Sequence, residues 1–143
     1  MGKEPALLRA AFIDRDGTLM EERGDLGEPD GVSLIPGSAD AVRRLRQAGL
    51  AVVLVTNQSG IARGLFSLQD FEAVQGRLLE LLEDKGARLD NVYFCPHHPD
   101  AGGPCGCRKP ADGMYRRAEE EMSIDLSRSF YVGDRWRDVA VTE

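Results

Sequence analysis

Phe12-Ile13-Asp14-Arg15-Asp16-Gly17-Thr18 is the stretch on which the reading of the whole chain turns. It completes a short apolar run, Arg9 to Ile13 (RAAFI), that reads as a first strand. Residues i and i+2 of a strand point to the same side, so Asp14 and Asp16 are expected on one face at the strand's exit. Two adjacent carboxylates repel unless a cation or a proton lies between them. A hard divalent ion that takes oxygen ligands, such as Mg²⁺, meets that need. One carboxylate can then attack phosphorus while the other, partly protonated, serves the leaving group. Gly17 permits the sharp turn that follows. The competing reading is a turn of solvated aspartates, which the strand context disfavours.

Outward from this stretch, short apolar runs alternate with amphipathic ones, the mark of βαβ units. Ser38 is expected to cap a helix running to Ala48, with Gly49 just beyond its end. Leu50 to Val55 (LAVVLV) reads as a strand buried on both faces. Ser67 with Asp70 resembles a capping box, opening a helix that carries Phe71, Val74, Leu78, Leu81 and Leu82 and stops near Gly86. A third strand over Asn91 to Phe94, a loop from Cys95 to Pro110, a helix from Asp112 through Met122 and a fourth strand over Ser129 to Val132 complete the pattern. Crossovers of this length imply parallel strands, whose ligands bind at their carboxyl ends. Three of the four strands run into polar groups there: Asp14-Arg15-Asp16, Thr56-Asn57-Gln58 and Gly133-Asp134.

The 143 residues suit one domain, with 42% hydrophobic and 29% charged residues. No apolar run approaches a membrane span and no secretory leader is visible, so a cytoplasmic location is expected. The net charge of −6 argues against a broad nucleic-acid surface, but a pocket can still be locally basic for a small anion. Three cysteines, an odd number, argue against a disulfide framework. They cluster as Cys95-x-His97 and Cys105-x-Cys107, three thiolates and one imidazole, a set that suits structural zinc in tetrahedral geometry. His98 is an alternative to His97. The metal would hold Arg108 and Lys109, which follow Cys107 directly, over a phosphate site; Arg108 offers a planar fork to phosphate or hydroxyls.

Asp14-Arg15-Asp16-Gly17-Thr18 resembles the first signature of the haloacid dehalogenase superfamily of phosphohydrolases. Thr56-Asn57, Lys109, and Gly133-Asp134 with Asp138 resemble its second, third and fourth motifs, in the same order. The runs Thr56 to Gly64 and Cys95 to Pro99, with Cys107-Arg108-Lys109-Pro110, are similar to the histidinol-phosphatase and heptose bisphosphate phosphatase group within it. This resemblance implies a Rossmann-like, doubly wound parallel sheet in a single domain spanning 1–143, without a large cap and with a zinc loop over 95–110. It implies Asp14 as nucleophile, Asp16 as general acid/base, and Lys109 as the cation that neutralises nucleophile and phosphate. It further implies phosphoryl or substrate contacts from Thr56, Asn57, Gln58, Arg63 and Arg108. Mg²⁺ would be bound through Asp14, Asp134 and the Asp16 main-chain carbonyl, and Zn²⁺ through Cys95, His97, Cys105 and Cys107. Asp138 is a weaker metal candidate.

The expected substrate is a small phosphorylated metabolite, a sugar bisphosphate first and histidinol phosphate second, acted on by a monomer without nucleic-acid or membrane partners. A zinc-stabilised binding domain without turnover is the non-enzymatic alternative. The family pattern continues beyond Glu143 with a helix and a further strand, and Val139 to Glu143 departs from it, so a truncated C-terminus is expected. The segment from Glu21 to Gly31 also departs from the pattern and is expected to border the leaving group.

Overall fold

The computed structural model describes residues 7–103 and 105–140. Pro104 in the expected zinc loop, and Val141 to Glu143 at the divergent terminus, lie outside the described residues. Four parallel strands form one sheet in the order β3-β2-β1-β4: β1 (Ala10–Ile13), β2 (Ala51–Asn57), β3 (Asn91–Cys95) and β4 (Phe130–Val132). Three helices connect them: α1 (Ser38–Gln47), α2 (Leu68–Asp84) and α3 (Gly113–Met122). A single turn of helix, α4 (Trp136–Val139), follows β4.

The alternation of β1 divides the core into two layers. Ala11 and Ile13 pack with Val52 and Leu54 of β2 against Ala39 and Val42 of α1 and Val74, Leu78 and Leu82 of α2. Ala10 and Phe12 face the other way, with Val53, Val55 and Tyr93, against Met114, Tyr115 and Ala118 of α3. Helices therefore cover both faces, which is the doubly wound arrangement. The chain moves outward from β1 through β2 to β3, then returns to place β4 on the other side of β1. The sheet order reverses at β1, so a crevice opens at the carboxyl ends of β1 and β4. Asp14 and Asp134 are the residues at those two ends.

Several boundaries differ from the sequence reading. β2 runs two residues further than expected, because Thr56 and Asn57 continue the ladder opposite Phe94 and Cys95. Ser38 is the first helical residue rather than the cap: Gly37 turns the chain with φ 87°, and the buried Ser38 hydroxyl has no hydrogen-bond partner among the described residues. Asp112 sits at the cap of α3 without capping it, since its carboxylate pairs with Arg116 one turn on at 3.0 Å. The Ser67/Asp70 capping box forms as read, with bonds of 2.9 and 3.0 Å. At β4, Phe130 and Val132 are exposed, because no described helix covers that end of the α1/α2 face. No helix among the described residues is long and apolar enough to cross a membrane.

Candidate active site

The end of β1 is tied to β4 before the site begins: the Asp14 amide donates to the Val132 carbonyl at 3.0 Å. The chain then turns through Gly17, at φ 83°. That turn brings Gly17 against Asp134 so closely that a Cβ on Gly17 would run into the Asp134 carboxylate. Glycine at 17 is thus a condition for the β1 and β4 tips to converge. Asp14, Asp134 and Asp138 each offer an oxygen within 4.8 Å of the others, an all-oxygen set suited to a hard divalent cation.

Lys109 is the centre of the charge network. Its buried ammonium donates to Asp14 Oδ1 at 3.0 Å, Asp138 Oδ1 at 2.6 Å and the Val55 carbonyl at 2.7 Å, which uses all three of its protons. Asp138 is itself buried, and its other oxygen accepts from the Arg135 amide at 3.1 Å. Of the three acids in the oxygen set, Asp138 therefore spends both oxygens, on Lys109 and on the Arg135 amide, whereas Asp14 spends one on Lys109. Burial pushes the Asp14 carboxyl up to about 6, and the Lys109 charge beside it opposes the rise.

Asp16 lies outside the oxygen set. Its carboxylate is gripped by Arg15 through Nε at 3.1 Å and Nη2 at 3.3 Å, and it accepts from Gln58 Nε2 at 3.0 Å. Arg15 is 1% exposed, points to the α2 side of the sheet, lies over the Phe71 ring and donates to Gln75 at 3.4 Å. Sequence reasoning assigned Arg15 nothing. The available signal was its position between two residues that share a face, which sends it to the opposite face.

The tip of β2 holds the third segment in place. Asn57 accepts from the Lys109 amide at 2.9 Å and donates to the Lys109 carbonyl at 3.2 Å, a two-bond clamp that anchors the lysine. Gln58 donates to Thr56 Oγ1 at 2.9 Å as well as to Asp16. Asn57 and Gln58 thus spend their amides on positioning Lys109 and Asp16, although both line the cavity.

That cavity, of about 280 Å³, brings the expected catalytic Asp14 and Asp16 together with Thr56, Asn57, Gln58, Arg63 and Arg108, the expected phosphoryl or substrate contacts. His98 also lines it, as do Glu22 and Asp25 from the divergent segment after β1. Arg63 lies 3.8 Å from Asp25, and Arg108 donates to the His97 carbonyl at 3.5 Å. Two further arginines that the sequence reading did not single out, Arg135 and Arg137, complete the wall.

Cys95, His97, Cys105 and Cys107 gather with all donor atoms within 4.8 Å, while His98 instead accepts from the Asp100 amide. The sequence argued against a disulfide framework; here the Cys95 and Cys107 sulfurs are in disulfide contact and Cys105 is free. The remaining spacings are those of a metal shell. The Cys105 sulfur lies 3.7 Å from Cys95 and 3.8 Å from Cys107, and His97 Nδ1 lies 3.5 and 3.1 Å from the same two sulfurs. Tetrahedral zinc with bonds of about 2.3 Å to sulfur has sulfur–sulfur edges of about 3.8 Å. A disulfide engages two of the four groups, whereas the donor atoms of all four lie close enough together to hold one metal ion.

A parallel sheet with Asp14 and Asp134 converging from two strand tips, and a buried lysine joining Asp14 to Asp138 of α4, is the arrangement of a phosphatase of the haloacid dehalogenase type. A family model described as polynucleotide kinase 3 phosphatase matches residues 9–139. D-glycero-beta-D-manno-heptose-1,7-bisphosphate 7-phosphatase of Yersinia pestis is 45% identical over 135 residues, covering 91% of this chain and 72% of that protein. A solved structure from Mesorhizobium loti matches with a TM-score of 0.91 at 40% identity, covering 99% of this chain and 71% of that one. The D,D-heptose 1,7-bisphosphate phosphatase of B. bronchiseptica, complexed with magnesium and phosphate, matches with a TM-score of 0.82 at 39% identity, covering 92% and 73%. The chain belongs to this haloacid dehalogenase family of phosphatases, alongside the heptose bisphosphate phosphatases.

Proposed function

We propose that this chain is a magnesium-dependent phosphatase that removes one phosphate from a sugar bisphosphate, D-glycero-D-manno-heptose 1,7-bisphosphate, through a phosphorylated aspartate. The observation that carries the chemistry is the Lys109 ammonium bonded to both Asp14 and Asp138 beside Asp134. Phosphoryl transfer needs positioning and charge neutralisation above all. Asp14 attacks phosphorus, and Asp16 gives a proton to the departing sugar oxygen. Asp16 then takes a proton from water as that water attacks phosphorus and releases Asp14. Asp14, Asp134 and the Asp16 main-chain carbonyl would hold magnesium, which would supply neutralising charge to the phosphoryl oxygens. Arg63 and Arg108 meet the sugar end of the substrate. The names of the relatives support the sugar, and the charge of −6 argues against a polynucleotide substrate.

A panel of phosphorylated metabolites tests the reading. The heptose bisphosphate is expected to give the highest kcat/KM; preference for histidinol phosphate would overturn the substrate, and no magnesium-dependent release of phosphate from any ester would overturn the enzyme. Asp16→Ala is expected to lower kcat by about 10²–10⁴, the range of general acid–base assistance. A maximum rate and pH–rate profile unchanged by the substitution would contradict that role.

Cys95, His97, Cys105 and Cys107 close a four-ligand shell, so zinc in this reading shapes the loop and leaves no open position for catalysis. Cys107→Ser is expected to lose zinc by elemental analysis and keep a folded sheet. Displacing Arg108 and Lys109 by about 1 Å costs on the order of 10²-fold in rate. Full activity in a zinc-free, metal-preserving preparation would remove the zinc assignment.

A further inference from the structure

We propose that Arg15 is a positioning residue for the reaction: braced on α2 through Gln75, it aims the Asp16 carboxyl so that Oδ1 is the oxygen that exchanges a proton with the departing alcohol and the attacking water. The proposal rests on the reading of Asp16 as acid and base, and names what aims it.

Each carboxylate oxygen has two lone pairs with which to accept. Asp16 Oδ2 accepts from Arg15 Nε at 3.1 Å and from Gln58 Nε2 at 3.0 Å, so both of its places are filled. Oδ1 accepts from Arg15 Nη2 at 3.3 Å and from no other group among the described residues. Its second place is open, and Asp16 lines the cavity. A proton therefore fits on Oδ1 without displacing a donor, and on Oδ2 it does not. The planar fork of Arg15 sets the plane of the carboxyl, and with it the direction of the open place. Gln58 reaches Oδ2 alone and cannot set that plane. The transfers balance in both halves of the reaction. As Asp14 bonds to phosphorus and the bond to the sugar oxygen breaks, the proton on Oδ1 passes to that oxygen. As a water oxygen bonds to phosphorus and the Asp14 bond breaks, a proton from the water returns to Oδ1.

Arg15 is held from behind. Its side chain is 2% exposed and that of Asp16 is 16% exposed, so the fork lies inside the fold and the carboxyl lies at the cavity wall. Nη1 donates to Gln75 Oε1 at 3.4 Å, and the guanidinium lies over the Phe71 ring; both partners belong to α2. Phe71 packs in turn on Phe94 of β3, with ring centres 4.4 Å apart. The Arg15 carbonyl accepts from the Leu19 amide at 2.9 Å, which ties the main chain at the same point. Gln75 is itself buried, and its Nε2 has no hydrogen-bond partner among the described residues, so its oxygen on Arg15 is what the amide contributes. Burying a guanidinium is costly, and a buried ion pair adds little net stability over apolar packing of the same volume. Apolar packing would not aim a carboxyl.

The test follows single turnovers, with enzyme in excess, in the magnesium- and zinc-loaded protein. Two esters are compared: heptose 1,7-bisphosphate, whose sugar oxygen needs a proton to leave, and p-nitrophenyl phosphate, whose phenolate leaves without one. The readout is the ratio of the rate of sugar release to the rate of nitrophenol release. Arg15→Met is expected to lower this ratio about 10²-fold, the scale of a reacting group displaced by about 1 Å. Asp16→Ala is expected to lower it by about 10²–10⁴. Arg15→Met added to Asp16→Ala is expected to lower it no further, since the arginine then has nothing to aim. Gln75→Met leaves the fork and the carboxyl in place and is expected to shift the ratio the same way by less. An equal fall on both esters in Arg15→Met, an unchanged ratio, or a further fall on the Asp16→Ala background would overturn the proposal while the role of Asp16 stands. Where Arg15→Met does not fold, Gln75→Met decides, and an unchanged ratio there overturns the proposal. An unchanged ratio in Asp16→Ala would remove the acid and base reading of Asp16, and the proposal with it.

Discussion

Asp14→Asn is expected to abolish turnover while the protein stays folded. Asp14 is half-buried at the tip of β1, with one oxygen held by Lys109 at 3.0 Å and the cluster of Asp134 and Asp138 beside it. The amide keeps the shape of the carboxylate but cannot attack phosphorus. It also removes one carboxylate from the oxygen set suited to a metal. Loss of a covalent nucleophile from a unit that acts together costs about 10⁶-fold in kcat at the upper end. Steady-state release of phosphate, with thermal melting as a check on folding, reads both halves of the expectation. A variant that melts like wild type and retains activity within about 10-fold would remove Asp14 from the mechanism.

Lys109→Met is expected to be the second largest loss, and it should strike stability as well as rate. Lys109 and Asp138 are 2% and 3% exposed, so the substitution strands a buried carboxylate without its cation and removes a donor from the Val55 carbonyl. Breaking a buried pair by removing one partner costs about 3–5 kcal/mol. Removing one preorganised donor from the reacting charge costs about 10²–10³ in kcat. The double variant Lys109→Met/Asp138→Asn removes the stranded charge, so it should recover much of the stability and none of the activity. Urea denaturation of both variants separates the two effects. Equal stability of Lys109→Met and wild type would show that Asp138 does not depend on this lysine.

The features legible in the sequence are those set by strand ends. Asp14, Thr56-Asn57 and Asp134 could be placed because a parallel sheet delivers ligands where its strands stop, and apolar runs mark those stops. The four zinc-type residues were legible from residue type and spacing, and Lys109 from its resemblance to the family's third motif. Less legible was where a polar side chain spends its hydrogen bonds. Asn57 and Gln58 read as substrate contacts, yet their amides hold the Lys109 main chain and Asp16. Arg15 had no role in the sequence reading, yet it is a buried clamp on Asp16. Asp138 read as a weak metal candidate, yet it pairs with Lys109, twenty-nine positions earlier in the chain. These partners lie on different strands and loops, and no local pattern carries them. The arginines at 135 and 137 escaped notice for the same reason, since only the fold turns them toward the cavity.

In the proposed reaction the phosphoryl group passes through Asp14, and trapping that intermediate tests the mechanism most directly. The zinc-loaded protein would be mixed with magnesium and the heptose bisphosphate, quenched in acid during turnover, reduced with borohydride and mapped by peptide mass. Reduction converts an aspartyl phosphate to homoserine. Homoserine at position 14, present only when substrate and magnesium are both supplied, is the predicted result. Sustained release of phosphate with Asp14 unmodified throughout, or with the modification on a different carboxylate, would contradict it.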